Sequence, residues 1–116
     1  MNKSKFIPLG ERNAYHRLED VIGCKWSTAV IAAVSQGVNR PGELERYIPG
    51  ISTKVLTERL RKLTAFGLLR RTEYSGLPAR VDYDLTPSGE KLAGILAQLR
   101  AMNADIESPP SSPDAA

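Results

Sequence analysis

Between Pro49 and Leu63 the chain reads Pro-Gly-Ile-Ser-Thr-Lys-Val-Leu-Thr-Glu-Arg-Leu-Arg-Lys-Leu. Leu56, Leu60 and Leu63 fall at i, i+4 and i+7, on one face of a helix, and Lys54, Thr57, Glu58 and Arg61 project from the opposite side. Pro49-Gly50 is a turn and Ser52 is a good N-cap, so the spacing predicts a helix over 52–66, closed by Gly67. Leu68 to Tyr74 and Arg80 to Leu85 follow as strands, the second with Val81, Tyr83 and Leu85 alternating against Asp82 and Asp84. Ser75-Gly76-Leu77-Pro78 supplies the turn between them. A helix with one apolar stripe must bury it, and a two-stranded hairpin is marginal alone. Both elements must therefore dock on a core made elsewhere in the chain.

The rest of the sequence offers that core. Leu18, Val21 and Ile22 recur at helical spacing over 14–22, ended by Gly23. Trp26 to Gln36 is a second helix, made mostly of buried positions by Ala29, Val30, Ile31, Ala33 and Val34, with Gly37 at its C-cap. Asn39-Arg40-Pro41 opens a short third helix with Pro41 in the first turn and Leu44, Tyr47 and Ile48 inward. A short strand near Val38 is placed to pair with the hairpin. Thr86 caps a last helix with Pro87 at its first position, and Leu92, Ile95, Leu96, Leu99 and Met102 form its apolar stripe. That stripe is long for the end of so small a domain. The expected organisation is a flexible arm over 1–13, one domain over 14–106 and a disordered Ser/Pro-rich tail over 107–116.

The 116 residues carry a formal charge of +3, but the charge is concentrated. Residues 52 to 80 hold Lys54, Arg59, Arg61, Lys62, Arg70, Arg71 and Arg80 against only Glu58 and Glu73, a local excess of five, whereas Asp105, Glu107 and Asp114 make the C-terminal end acidic. A localised basic patch is the footprint of a nucleic-acid binder. A capped helix with cations on its free face, followed by a basic hairpin, is the arrangement with which a winged helix-turn-helix grips DNA. The fold class expected is mainly α with a small β-hairpin.

Other classes are disfavoured. No apolar run approaches the roughly 20 residues of a membrane span, and no signal-peptide core follows the basic start. Cys24 is the single cysteine, which suits a reducing cytoplasm. His16 is the single histidine, so two histidines of one chain cannot share a metal. There is no paired carboxylate in an apolar setting, no nucleophile with a base and no phosphate-binding glycine loop, so the chain is not expected to be an enzyme or to hold a cofactor.

The candidate DNA-binding residues are Arg40, Ser52, Thr53, Lys54, Thr57, Arg59, Arg61 and Arg80. Ser52 and Thr53 open the helix, where free N–H groups and hydroxyls suit a phosphate, although Ser52 also suits a simple cap. Lys54, Thr57 and Arg61 lie along the exposed side, within reach of base edges or phosphates. Glu58 shares that face and suits either a cytosine amino group or a neighbouring cation. Arg59 and Arg40 suit either a phosphate contact or an internal salt bridge. Arg80 leads the second strand after Pro78, a rigid presentation for a minor-groove or phosphate contact. Arg70 and Arg71 point to opposite faces, so at most one faces DNA. Trp26 is read as core packing, and Cys24 as a small residue at a helix junction rather than a sensor thiol.

In register, Ile22-Gly23-Cys24-Lys25-Trp26, Gly37, Arg40 with Glu43-Leu44, and Ile48-Pro49-Gly50-Ile51-Ser52 are followed by three further groups. These are Leu56-Thr57 with Arg59-Leu60-Arg61-Lys62-Leu63, then Gly67-Leu68 with Arg70, then Pro78 with Arg80-Val81-Asp82-Tyr83-Asp84-Leu85-Thr86 and Gly89. With these, the chain resembles the HxlR-type winged helix-turn-helix transcriptional regulators of bacteria from about Ala14 to Arg100. The resemblance implies a homodimer built by the first and last helices, the helix from Ser52 in the major groove and the wing over 74–80 on the backbone or minor groove. Three positions depart from it. Asn13-Ala14 stands where many members carry a regulatory cysteine followed by proline, Arg40-Pro41 stands for the usual Arg-Phe, and the acidic residue before the strand tyrosine is Asp82.

The leading expectation is a sequence-specific, dimeric regulator that binds double-stranded DNA at an inverted repeat in the cytoplasm, at the nucleoid. The competing one is a winged-helix interaction module whose basic face meets an acidic protein. With no thiol at Asn13, the expected switch is a small-molecule effector between the helices near the dimer interface, or no ligand at all.

Overall fold

The computed structural model describes residues 9–107. The elements run α1 (Leu9–Ile22), α2 (Ser27–Ser35), α3 (Pro41–Tyr47), α4 (Thr53–Ala65), β1 (Leu69–Tyr74), β2 (Arg80–Leu85) and α5 (Pro87–Glu107). This is the mainly helical architecture with one hairpin that the spacing predicts.

α2 is the centre of the core. Val30, Ile31 and Ala33 are fully or almost fully buried, and the helix packs against each of the other four helices and β2. A helix apolar on nearly every side can be satisfied only by being surrounded. α4 docks on it through Leu56, Leu60 and Leu63, all buried. Each such leucine contributes roughly 1.5–3 kcal/mol of transfer free energy. A helix cap contributes about 1 kcal/mol, so packing decides that the helix forms here and the cap decides where it starts. That cap is the Ser52 hydroxyl, which accepts from the Val55 N–H at 3.1 Å.

The hairpin is antiparallel, with Leu69 opposite Leu85, Arg71 opposite Tyr83, Thr72 opposite Asp82 and Tyr74 opposite Arg80. One face carries Leu69, Tyr83, Val81 and Leu85 onto the core. The other carries Arg70, Thr72, Tyr74, Arg80, Asp82 and Asp84. Its base is stitched to α5. Thr86 N–H donates to the Leu68 carbonyl at 3.1 Å, the Thr86 hydroxyl donates to the Gly67 carbonyl at 2.6 Å, and the same hydroxyl accepts from Gly89 N–H at 3.0 Å. Thr86 is thus the cap of α5, with Pro87 in the first turn as its fixed φ favours.

Four expectations are corrected. α1 begins at Leu9, so residues 9–13 of the expected arm are helical, with Glu11 in the first turn where the helix dipole favours an anion. α5 runs through Glu107, one residue past the expected domain end. Residues 1–8 and 108–116 lie outside the described residues, and with them the remainder of the arm and tail. Near Val38 no strand forms. A single backbone bond, Tyr83 N–H to the Asn39 carbonyl at 2.8 Å, joins that segment to β2 before Pro41 turns the chain into α3. Tyr47, expected inward, is 53% exposed; the buried positions are Leu44 in α3 and Ile48 just past its end.

Trp26 half-buries against the core as expected. It does so from the left-handed region, with φ 80°, in the turn that starts α2. Cys24 is half-buried beside it, its Sγ 3.8 Å from Lys62 Nζ.

Candidate nucleic-acid interface

The outer side of α4 is built by subtraction. Once the three leucines are buried, Lys54, Thr57, Glu58 and Arg61 are left exposed on one stripe. Neither Lys54 nor Arg61 has an ion-pair partner among the described residues, where the pairs are His16–Glu19, Arg40–Asp82, Arg71–Glu73 and Arg80–Asp82. The hydroxyls on this helix are already engaged. Thr57 donates to the Thr53 carbonyl at 2.8 Å, and Thr53 donates to Glu45 Oε2 at 2.6 Å, tying the start of α4 to α3. Thr53 and Thr57 have thus spent their O–H donors, while Ser52, which only accepts from Val55 N–H, and the cations have not. Arg59 lies between the two sides, half-buried, its Nε without a hydrogen-bond partner. Of its two expected roles, phosphate contact or internal salt bridge, the salt bridge is not formed among the described residues.

A second group of cations gathers on the outer face of the hairpin. Arg80 Nε lies 3.5 Å, and Arg40 Nε 3.6 Å, from the same oxygen, Asp82 Oδ1. Asp82 is buried, yet that oxygen receives no hydrogen bond. Both arginine side chains stay about half exposed, 47% for Arg40 and 46% for Arg80. Half-exposed ion pairs of this kind contribute on the order of 0–1 kcal/mol, so both guanidiniums stay accessible beside Asp82. Arg80 also stacks on the Tyr74 ring, its Cζ 4.5 Å from the centroid, a cation–π contact that limits its rotation.

Of the two consecutive strand arginines, Arg71 is taken up locally. It hydrogen-bonds Glu73, and that bond, followed by one with Tyr83, raises the guanidinium above its usual pKa. Arg70 lies on the outer face opposite Asp84, whose Oδ1 accepts from Asn39 Nδ2 at 3.5 Å.

The cations are legible in the sequence, but the residues beside two of them are not. By its alternation Asp82 belongs with Asp84 on the polar side of the strand. It is on that side, but Arg40, arriving from the turn before α3, covers it. Tyr74 was legible as a strand aromatic, and its place opposite Arg80 follows once the hairpin register is known. Among the described residues no cluster of three or more His, Cys, Asp or Glu is placed to hold a metal, and no helix is long and apolar enough to cross a membrane.

Comparison with known proteins agrees with this construction. The HxlR-like helix-turn-helix family model matches residues 21–109. The chain is 40% identical over 86 residues, 74% of its length and 68% of the relative's, to YtcD of Bacillus subtilis (strain 168), an uncharacterized HTH-type transcriptional regulator. A crystal structure of YtcD is similar at TM-score 0.74 and 35% identity, covering 88% of this chain and 99% of that one. So is a MarR-family transcriptional regulator from Enterococcus faecalis V583, at TM-score 0.74 and 32% identity, covering 90% and 96%. The chain belongs to the HxlR-like helix-turn-helix family, and it is a winged-helix, DNA-binding transcriptional regulator rather than an enzyme.

Proposed function

We propose that the protein acts as a homodimer that reads an inverted-repeat operator, with α4 in the major groove and the wing over 74–80 on the backbone or in the minor groove. The observation that carries the reading is the pairing of opposite sides on α4. Leu56, Leu60 and Leu63 and the Ser52 cap hold the helix rigidly, while Lys54 and Arg61 stay exposed and without an ion-pair partner among the described residues. A preorganised helix with free cations is what base reading requires. Arg40 and Arg80 contribute sequence-independent contacts to the backbone.

Dimerisation is supported by the apolar surface that one copy leaves open. Ile95, Leu99, Met102 and Ile106 of α5, at helical spacing, are exposed, as are Leu18 and Ile22 of α1. A contiguous apolar stripe of this kind marks an association surface. Two-fold symmetry then sets the half-sites about 34–36 Å apart, one helical turn of DNA. The switch is a small-molecule effector held between the helices beside this interface. An open groove of ≈ 400 Å³ between α2 and α5, lined by Ile22, Ala29, Leu96, Leu99 and Arg100 among others, suits one. Asn13 and Ala14 supply no thiol for a redox alternative. The place of action is the cytoplasm, on the nucleoid.

The test is sedimentation of the protein with and without a duplex bearing its binding site. The reading expects two chains in the free protein and two chains on one duplex. One chain per duplex, at concentrations well above the dissociation constant, contradicts it.

A further inference from the structure

We propose that Asp82 is a positioning residue that joins Arg40 and Arg80 into one two-armed seat for a single DNA phosphate. The proposal rests on the reading of the wing as a DNA contact and adds to it a residue that meets no DNA itself. The two arginines come from distant parts of the chain, one from the turn before α3 and one from the start of β2. Both present Nε to Asp82 Oδ1. Each guanidinium has a planar fork of five N–H donors, and since Asp82 Oδ1 receives no hydrogen bond, neither arginine spends a donor on it. The two Nε atoms can be no further apart than the sum of their distances to the shared oxygen, about 7 Å. Charge-assisted N–H···O bonds are about 2.7–2.9 Å long, so one phosphodiester group lying between the forks reaches both.

Several observations show that the arrangement is held. Asp82 is buried, so its carboxylate has little freedom to swing. Arg80 is stacked on Tyr74. The segment carrying Arg40 is tied to β2 by the Tyr83 N–H to Asn39 carbonyl bond one residue away. Without a negative charge between them, two cations this close repel, and the forks separate. Asp82 Oδ1, orphaned of hydrogen bonds, has no other partner to satisfy.

The sign of one substitution separates positioning from plain electrostatics. Replacing a buried negative charge beside a polyanion tightens binding if charge alone matters. If Asp82 sets the geometry, Asp82→Asn weakens binding. The test measures affinity for a selected operator and for an unrelated duplex between about 50 and 200 mM salt. One phosphate contact is worth about 0.9 in the slope of log K against log salt. We expect Asp82→Asn to flatten the slope by up to about that amount and to weaken binding to both duplexes, and Asp82→Glu to restore both. A merely structural role is read separately from the thermal midpoint and does not alter the slope of the folded fraction.

Arg40→Gln with Arg80→Gln decides the matter independently of how Asp82→Asn folds. If the two arginines share one phosphate, the double variant flattens the slope by about 0.9, and about twice that means two phosphates and overturns the proposal. Unchanged or tighter binding by a folded Asp82→Asn overturns it too. If instead the wild-type chain shows no salt-dependent DNA binding at all, the functional reading fails first.

Discussion

Gly89 stands so close to the Leu68 carbonyl that a Cβ on it would lie 2.1 Å from the oxygen. The contact sits where the hairpin enters and leaves the core, beside the Thr86 bonds to Gly67 and Leu68. The first turn of α5 thereby fixes the base of the wing. The obstructing atom is backbone and cannot rotate away. Gly89→Ala is expected to destabilise the fold by about 1–3 kcal/mol or more, lowering the thermal midpoint by several degrees. A midpoint equal to wild type would show that the turn has room to shift.

Ser52→Ala removes the acceptor for Val55 N–H at the start of α4. The expected loss is about 1 kcal/mol, within the 0.5–2 kcal/mol range of such caps, read from the urea midpoint. Leu63→Ala in the same helix is expected to cost more, roughly 2–5 kcal/mol, since Leu63 is fully buried. The order of the two, cap below core, is the prediction.

Arg61→Ala leaves the packed side of α4 intact and removes an exposed cation with no ion-pair partner among the described residues. Folding stability should stay within about 0.5 kcal/mol of wild type. Affinity for the operator should fall by about 1–3 kcal/mol while affinity for unrelated DNA changes far less. Equal losses on both duplexes would make Arg61 a backbone contact instead.

Ile95→Asp places a charge in the exposed stripe of α5, where Ile95 is 52% exposed in a single copy. The monomer should fold normally. Sedimentation should show one chain at concentrations where wild type shows two. Operator affinity should drop by about 10²-fold or more as the second half-site loses its tether. A dimer that survives the aspartate would move the interface elsewhere.

Much of this was legible in the residues because it depends on short-range chemistry. Ser52 and Thr86 are caps readable from the residues beside them, and Pro87 marks the first turn of α5. Leu56, Leu60 and Leu63 give the inner side of α4 by period alone, and β2 has the bounds its alternation predicts, Arg80–Leu85. What was not legible depends on partners far along the chain. Thr53 is an open hydroxyl in the sequence and a donor to Glu45 in the fold. Asp82 alternates as an outward residue, yet it is buried, with Arg40 from the turn before α3 and Arg80 both beside it. The early start of α1 at Leu9 precedes the apolar spacing of Leu18, Val21 and Ile22 that marks the rest of the helix. The pair Arg71–Glu73 was within reach, since residues two apart on a strand share a face.

Whether this chain reads DNA sequence as a symmetric pair is decided by selection of bound duplexes from a random pool, with the purified protein at near-physiological salt. One inverted repeat should be enriched, with half-site centres about one helical turn apart. Recovery of no common sequence, with binding that only fades as salt rises, would contradict it and leave the basic face a site of general charge attraction.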